Sequence, residues 1–392
     1  MEFVSAFLGL ILVYFLQRFL YRHFWNVNMT AELKFSKSRA VQGETVILSE
    51  SITNRKLLPV PMLYLRFKVS RDLQFEDSRQ NEVTDYYNRN ELFSLLMFQK
   101  VTRRLPFRCK KRGVYTIKTA SLMGSGLLLS EEYLLEFPTD TRLIVYPKAV
   151  SSNRFERMFE TMLGSVYTQR FLHEDPFSFR GIRDYQFGDP MKSINWKASA
   201  KTMDFKVNVL DFTTEQRVEL YLNLDRETLT TNNEVLEESI RLAKTFAARL
   251  TSMGMRTALY TNGLHYESRE VVWVEPGSGE KFLELANEAL AKIRLKDGAF
   301  AKMEHEFDTP EFCGLYADQC RQSESDHYKI FISNYHRRDF QELLEAMVKQ
   351  GQSVSWVLPV ENTAKPIPVL DILKDRTMVW SSQWEGAYRY DG

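Results

Sequence analysis

Hydrophobic positions fall into three spacing regimes along this chain. Residues 3–16, FVSAFLGLILVYFL, are uncharged and mostly apolar, and Phe19-Leu20-Tyr21 extend the run past Gln17 and Arg18. A helix that crosses a bilayer needs about 20 mostly apolar residues. Phe3 to Tyr21 reaches that length if Arg18 snorkels to the interface. Glu2 precedes the run and the bulky LYRHFW follows it, whereas a cleaved leader starts basic and ends on small residues. The pattern predicts an uncleaved anchor over 1–25, with Tyr14, Tyr21 and Trp25 as interfacial aromatics. Arg18, Arg22 and His23 lie on its C-terminal side, so the charge bias predicts a single-pass cell-membrane protein with the bulk of the chain cytoplasmic.

Residues 26–150 switch to a period of two. LKFSKSRAVQGETVILSESITN (33–54) alternates apolar and polar residues and breaks at Gln42-Gly43. LPVPMLYLRFKVS (58–70) puts Leu63, Leu65, Phe67 and Val69 on one face, and the prolines at 59 and 61 mark its start as an edge. VTRRLPFRCKKRGVYTIKTASL (101–122) reads as two strands around Lys111-Arg112-Gly113, and TRLIVYP (141–147) closes the region. Short strands with regular turn signals predict an all-β, sandwich-like domain. Residues 72–97 lack the pattern and read as a long connection, and 151–175 as a connector.

From residue 176 to 392 the spacing alternates between strand and helix. RVELYLNLD (217–225) is a buried strand, and 233–254 carries apolar residues at helical spacing up to Gly254. TALYTNG (257–263), EVVWVE (270–275), KIFISNYH (329–336) and SVSWVLP (353–359) are further strands. Helices are expected over 280–295 and 339–351. Such strand–helix–strand units predict an α/β domain with a mostly parallel sheet and flanking helices.

Composition narrows the function. The chain has 392 residues, 44% hydrophobic and 13% aromatic, enough for more than one core, and a net charge of +1, without the basic excess of a nucleic-acid binder. Cys109, Cys313 and Cys320 form no C-x-x-C pair and no disulfide framework, so they read as reduced thiols.

The densest chemistry lies in RGIRDYQFGDPMKSINWKASAKT (180–202). Gly188 can adopt the positive φ of a turn, and Asp189 before Pro190 is pushed to an extended conformation that aims its carboxylate. Arg180 or Arg183 can pair with Asp184 or Asp189. Trp196 can bury against a sheet and donate its indole N–H to a carbonyl. These residues make either a stiff structural hairpin or a surface, carried by Arg180, Arg183, Lys197 and Lys201, for a partner.

The same stretch is similar to the signature of the DUF58 family: Arg-x-Tyr-x-x-Gly-Asp, a basic residue, then Ile, His, Trp, Lys and Ser-Ala-Arg. Those places hold Arg183, Tyr185, Gly188, Asp189, Lys192, Ile194, Asn195, Trp196, Lys197, Ser199, Ala200 and Lys201, with Asn195 where His is common. KKRGVYTI (110–117) and LIVYP (143–147) also resemble that family's β-rich region. The resemblance implies a membrane-anchored, non-enzymatic interaction or scaffold protein. It further implies a von Willebrand factor A-like domain, a MoxR-type AAA+ ATPase as protein partner, and a role in assembling or remodelling a protein complex.

The metal-binding form of that domain wants Asp-x-Ser-x-Ser after its first strand, because hard oxygen ligands suit a divalent ion. Here Asp225-Arg226-Glu227-Thr228-Leu229 keeps only the aspartate, so Asp225 is a weak metal candidate and no metal or cofactor is expected. No G-x-S-x-G, H-E-x-x-H or Walker loop occurs. A Cys–His pair from Cys109, Cys313 or Cys320 with His305 or His327 has no supporting spacing. An outward-facing, metal-dependent adhesion module and an unidentified hydrolase remain the alternative readings.

Overall fold

The computed structural model describes residues 2–75, 86–126, 132–170, 179–186, 191–210, 217–227, 233–295, 309–322, 327–361, 367–381 and 386–389. The chain divides into two compact units, Met1–Lys148 with Leu290–Lys292, and Ala149–Ala289 with Ile293–Gly392.

The first unit opens with helix α1 (Glu2–Phe24) and continues in strands β1 (Met29–Phe35), β2 (Arg39–Val41), β3 (Thr45–Asn54), β4 (Val60–Ser70), β5 (Leu73–Phe75), β6 (Tyr86–Leu95), β7 (Lys100–Cys109), β8 (Gly113–Ser125) and β9 (Glu132–Tyr146). They form two sheets, ordered β1-β3-β7-β5 and β2-β9-β8-β4-β6. Every pairing is antiparallel except β2 with β9. Period-two alternation does the sorting: from Val46 to Asn54 every second residue of β3 is buried. Leu48, Ile52 and Phe107 from one sheet and Leu63, Leu65, Phe67 and Leu122 from the other share one core. Each such side chain contributes about 1.5–3 kcal/mol through burial. The same alternation turns Glu50 inward.

The stretch 72–97, expected as a connection, holds β5 and β6. Strand β6 pairs antiparallel with β4 along its length, Leu65 opposite Glu91 and Phe67 opposite Arg89. It is an edge strand, and its inward positions hold the ion-paired Arg89 and Glu91 beside Phe93 and Leu95, so YYNRNELFSL lacks an apolar alternation.

Helix α1 corrects the anchor prediction. Among the described residues no helix is long and apolar enough to cross a membrane. The uncharged stretch of 14 residues from Phe3 to Leu16 rises about 21 Å at 1.5 Å per residue, against a hydrocarbon core of about 30 Å. The single-pass membrane localisation, and the orientation argued from it, are therefore not supported. Nor are Tyr21 and Trp25 interfacial aromatics. Both are buried in the core of the first unit. The Tyr21 hydroxyl donates to the Pro59 carbonyl at 2.7 Å, the Trp25 indole stacks on Tyr133 at 5.9 Å, and Lys56 Nζ donates to the Trp25 carbonyl.

The second unit begins with α2 (Asn153–Arg170), which occupies what the sequence marks as a connector. Phe155 and Phe159 on α2 pack against Phe246 at 5.1 and 5.8 Å, so α2 belongs to the core. A hairpin follows, of β10 (Phe179–Asp184), a 3₁₀ turn at Met191–Ser193, α3 (Trp196–Thr202) and β11 (Lys206–Leu210). The remainder is β12 (Arg217–Asn223), α4 (Asn233–Ser252), β13 (Arg256–His265), β14 (Val271–Gly277), α5 (Gly279–Lys292), β15 (Ile293–Arg294), α6 (Phe312–Gln322), β16 (Tyr328–Ser333), α7 (Arg338–Lys349), β17 (Ser353–Val360), α8 (Asp371–Lys374), β18 (Thr377–Ser381) and β19 (Gly386–Arg389).

The predicted fold class, a von Willebrand A-like domain on a mostly parallel sheet, is also corrected. More described residues lie in strands than in helices. The eight-stranded sheet, ordered β14-β13-β12-β16-β17-β18-β19 with β15 on β13, is mixed. Strands β13, β12, β16, β17 and β18 run parallel, while β14, β15 and β19 are antiparallel to their neighbours. The reason is connection length. Helix α4 carries the chain across to a parallel neighbour, whereas the tight turn between β13 and β14, with Arg269 at φ 59°, returns it antiparallel. Tyr221 stacks between Tyr260 and Phe331, with ring centroids 5.1 and 4.8 Å away, and the Trp356 indole donates to the Ser333 carbonyl at 3.0 Å.

Candidate functional site

The hairpin carries most of the sequence-predicted residues. Strands β10 and β11 pair antiparallel, with Arg183 opposite Val207 and Asp184 opposite Lys206. Asn195 caps α3, its side-chain oxygen accepting from the Ala198 N–H at 2.9 Å and its amide donating to Asn208 Oδ1 at 2.7 Å. Ser199 is buried beneath. Its hydroxyl donates to the Asn195 carbonyl at 2.8 Å and accepts from the Lys206 N–H at 2.9 Å. Ile194 is buried and bridges to Val207. Helix α3 is thus fastened to β11 from behind, and Ile194 and Ser199 act as its fasteners.

The outer side differs from expectation. Trp196, expected to bury against a sheet, is 62% exposed and stands edge-on to the exposed Phe205 at 6.4 Å. Tyr185 meets Phe205 at 6.2 Å. Lys197 and Lys201, one turn apart on α3, are exposed. Arg183 donates to the Asp184 carbonyl at 3.0 Å, and the Asp184 carboxylate pairs with Lys206. Arg180 lies on β10 and Lys192 in the 3₁₀ turn. Gly188 and Asp189 lie outside the described residues. The sequence did not single out Met203 or Phe205. Met203 ends α3 in the left-handed region at φ 59° and is 93% exposed.

A second group sits at the carboxyl ends of β12, β13 and β16. Asp225 accepts from Asn262 Nδ2 at 2.6 Å on one oxygen and from the Phe312 N–H at 3.0 Å on the other. Burial pushes its carboxyl up to about 6, against the lowering effect of those two bonds. Glu227 accepts from the His336 N–H at 3.1 Å, and its backbone carbonyl accepts from Arg337 at 2.6 Å. Asp225 thus joins the β12 end to β13 and to the start of α6. Among the described residues no group of three or more His, Cys, Asp or Glu side chains is placed to hold a metal ion. Thr228 and Leu229 lie outside the described residues.

A third cluster is internal. Glu219 on β12 faces Lys329 on β16 in register, accepts from the Tyr221 hydroxyl at 3.0 Å, and lies 3.1 Å from His327 Nδ1. Lys329 is fully buried. Burial lowers its pKa, and Glu219 and Cys320 work against that lowering. The cysteines are free; burial pushes Cys109 up to about 11 and Cys313 and Cys320 up to about 12, so thiolate is scarce near neutral pH. His327 is engaged by Glu219, and His305 lies outside the described residues.

The fold and site define a two-unit protein, a two-sheet β unit and a mixed α/β unit, with an aromatic and basic hairpin. No family model matches the chain, and neither does any curated protein. Among solved structures it is similar to a non-cellulosomal cohesin from the archaeon Archaeoglobus fulgidus, with 14% identity over 31% of this chain and 92% of that one at a TM-score of 0.22. It is similar also to a cohesin module of a family 33 glycoside hydrolase from Clostridium perfringens, with 9% identity, 29% and 95% coverage and a TM-score of 0.20. A third is a CARDB domain from Pyrococcus furiosus in complex with di-metal ions, with 10% identity, 30% and 94% coverage and a TM-score of 0.18. Likenesses this distant carry no argument about chemistry or partners.

Proposed function

We propose that this chain is a non-enzymatic protein-interaction protein that docks a partner on the outer face of the hairpin. The observation that carries the reading is Trp196 exposed in edge contact with Phe205, on a helix that Asn195 and Ser199 lock from behind. Exposed aromatics on a rigid support are the side chains that anchor protein interfaces, because they bury large areas at little conformational cost. Asp225 is the one residue of the Asp-x-Ser-x-Ser set in this sequence, and the protonated thiols lend no support to nucleophilic catalysis. The resemblance to DUF58 proteins supplies the partner in this reading, a MoxR-type AAA+ ATPase served during assembly or remodelling of a protein complex.

The test is co-purification of the full chain with the MoxR-type ATPase of the same genome, wild type against Trp196→Ala with Phe205→Ala. The expected result is capture by wild type and loss in the double variant at unchanged melting temperature. Equal capture by both would remove the hairpin as the docking face, and no capture by wild type would remove the ATPase.

A further inference from the structure

Resting on that docking reading, we infer that the hairpin recognises an acidic segment of its partner that carries apolar or aromatic anchors. Three local features point to this occupant, and each is unfavourable to the isolated hairpin. First, Lys197 and Lys201 stand at i and i+4 on one short helix, where like charges repel. Second, Met203 holds a left-handed conformation at the end of α3, a place that favours glycine, yet it presents a long apolar side chain to solvent. Third, Trp196 and Phe205 leave an aromatic edge uncovered between the two.

Charge completes the argument. Between residues 179 and 210 the sequence holds six basic residues and three acidic ones, Asp184, Asp189 and Asp204, and Asp184 is paired with Lys206. The chain as a whole carries only +1, so this segment is more basic than the chain average. An acidic peptide would meet the lysines at the rim, while its apolar residues cover Trp196, Phe205 and Met203, the arrangement of a polar rim around an aromatic centre. Rim lysines confer specificity and a salt-dependent on-rate, and the aromatics confer residence time.

The experiment is selection of a random 12-residue phage-displayed peptide library on the full chain, with Lys197→Glu plus Lys201→Glu and Trp196→Ala as parallel baits. Melting curves confirm that all three baits are folded. The expected outcome is peptides enriched in Asp and Glu around Leu, Phe or Trp. The strongest synthetic peptide should lose at least tenfold in affinity with either variant. Its affinity for wild type should fall severalfold between 50 and 300 mM salt, and that salt response should vanish with the charge reversal. Peptides that need Trp196 but carry no acidic bias would leave the docking face standing and overturn the acidic partner. Peptides indifferent to Trp196, or no selected peptides, would overturn both. Binding of a single-stranded 20-mer oligonucleotide with the same dependence on Trp196 and the lysines would assign the face to nucleic acid instead.

Discussion

Replacing Glu50 by glutamine should leave the first unit no more stable at pH 5 and make it more stable at pH 8. Glu50 is wholly buried on β3, and neither carboxylate oxygen has a hydrogen-bond partner among the described residues. Its cross-strand neighbours are Leu33 on β1 and Arg103 on β7. Arg103 is committed elsewhere: it donates to Glu91 at 2.6 Å and to the Leu92 carbonyl at 3.0 Å, and Arg89 also donates to Glu91. Burial, with the nearby Glu91 charge adding to it, pushes the Glu50 carboxyl from 4.5 up to about 8, and Arg89 and Arg103 offset only part of that. The folded pKa is raised, so between pH 4.5 and 8 the folded unit holds a proton that the unfolded chain has released. The stability this provides is complete below 4.5 and is lost as pH rises to 8, at about 1.4 kcal/mol per pH unit. The whole window of 3.5 units spans about 5 kcal/mol. Glutamine removes the titration and keeps the shape, with a constant cost of about 1–3 kcal/mol for a buried amide short of partners. Urea unfolding at pH 5, 6, 7 and 8, read at the transition that exposes Trp25, checks this. The variant should be no better than wild type at pH 5 and clearly better at pH 8. Parallel stability curves for the two proteins across that range would refute the reasoning.

Other substitutions test other parts of the structure. A Cβ at Gly124 would stand 2.9 Å from the Trp25 ring, so Gly124→Ala should cost about 1–3 kcal/mol and red-shift Trp25 emission as the indole is pushed outward. Lys329→Met leaves Glu219 buried without its facing cation and should destabilise the second unit by about 3–5 kcal/mol; adding Glu219→Gln should recover part of the loss, measured as a double-mutant cycle. Met203→Gly relieves a left-handed backbone and should gain about 1 kcal/mol of stability in thermal unfolding, while weakening binding of the selected acidic peptide.

What the sequence revealed and what it hid follow from how each signal arises. Period-two alternation marked β3 and β4 because one face of each is packed and the other is not. It failed for β6 because two of its inward positions hold the ion-paired Arg89 and Glu91 in place of apolar residues. Apolar spacing located β12, β13, β14, β16 and β17, but periodicity does not encode strand direction, so the antiparallel flanks of the mixed sheet were invisible in it. Helix α2 was hidden because its aromatic stripe, Phe155 and Phe159, is narrow beside the charged residues around it. At the hairpin the motif drew attention to the right segment, yet the presumption that a tryptophan packs inward assigned Trp196 to the core. Only the backbone geometry shows that Ile194 and Ser199 take that inner side. Glu50 reads in the sequence as one more polar residue of an alternating strand; only its phase, shared with Val46, Leu48 and Ile52, hints that it points inward.

The end of α1 sets a boundary for anyone shortening this chain. Tyr21 and Trp25 fill the space over Gly124 and Gly126, and Tyr21 reaches across to Pro59. A trimmed version starting at residue 26 would strip two aromatic plugs and leave a notch lined by glycine and leucine, inviting clumping of the shortened product. One starting a turn before Tyr21 would keep the plugs seated.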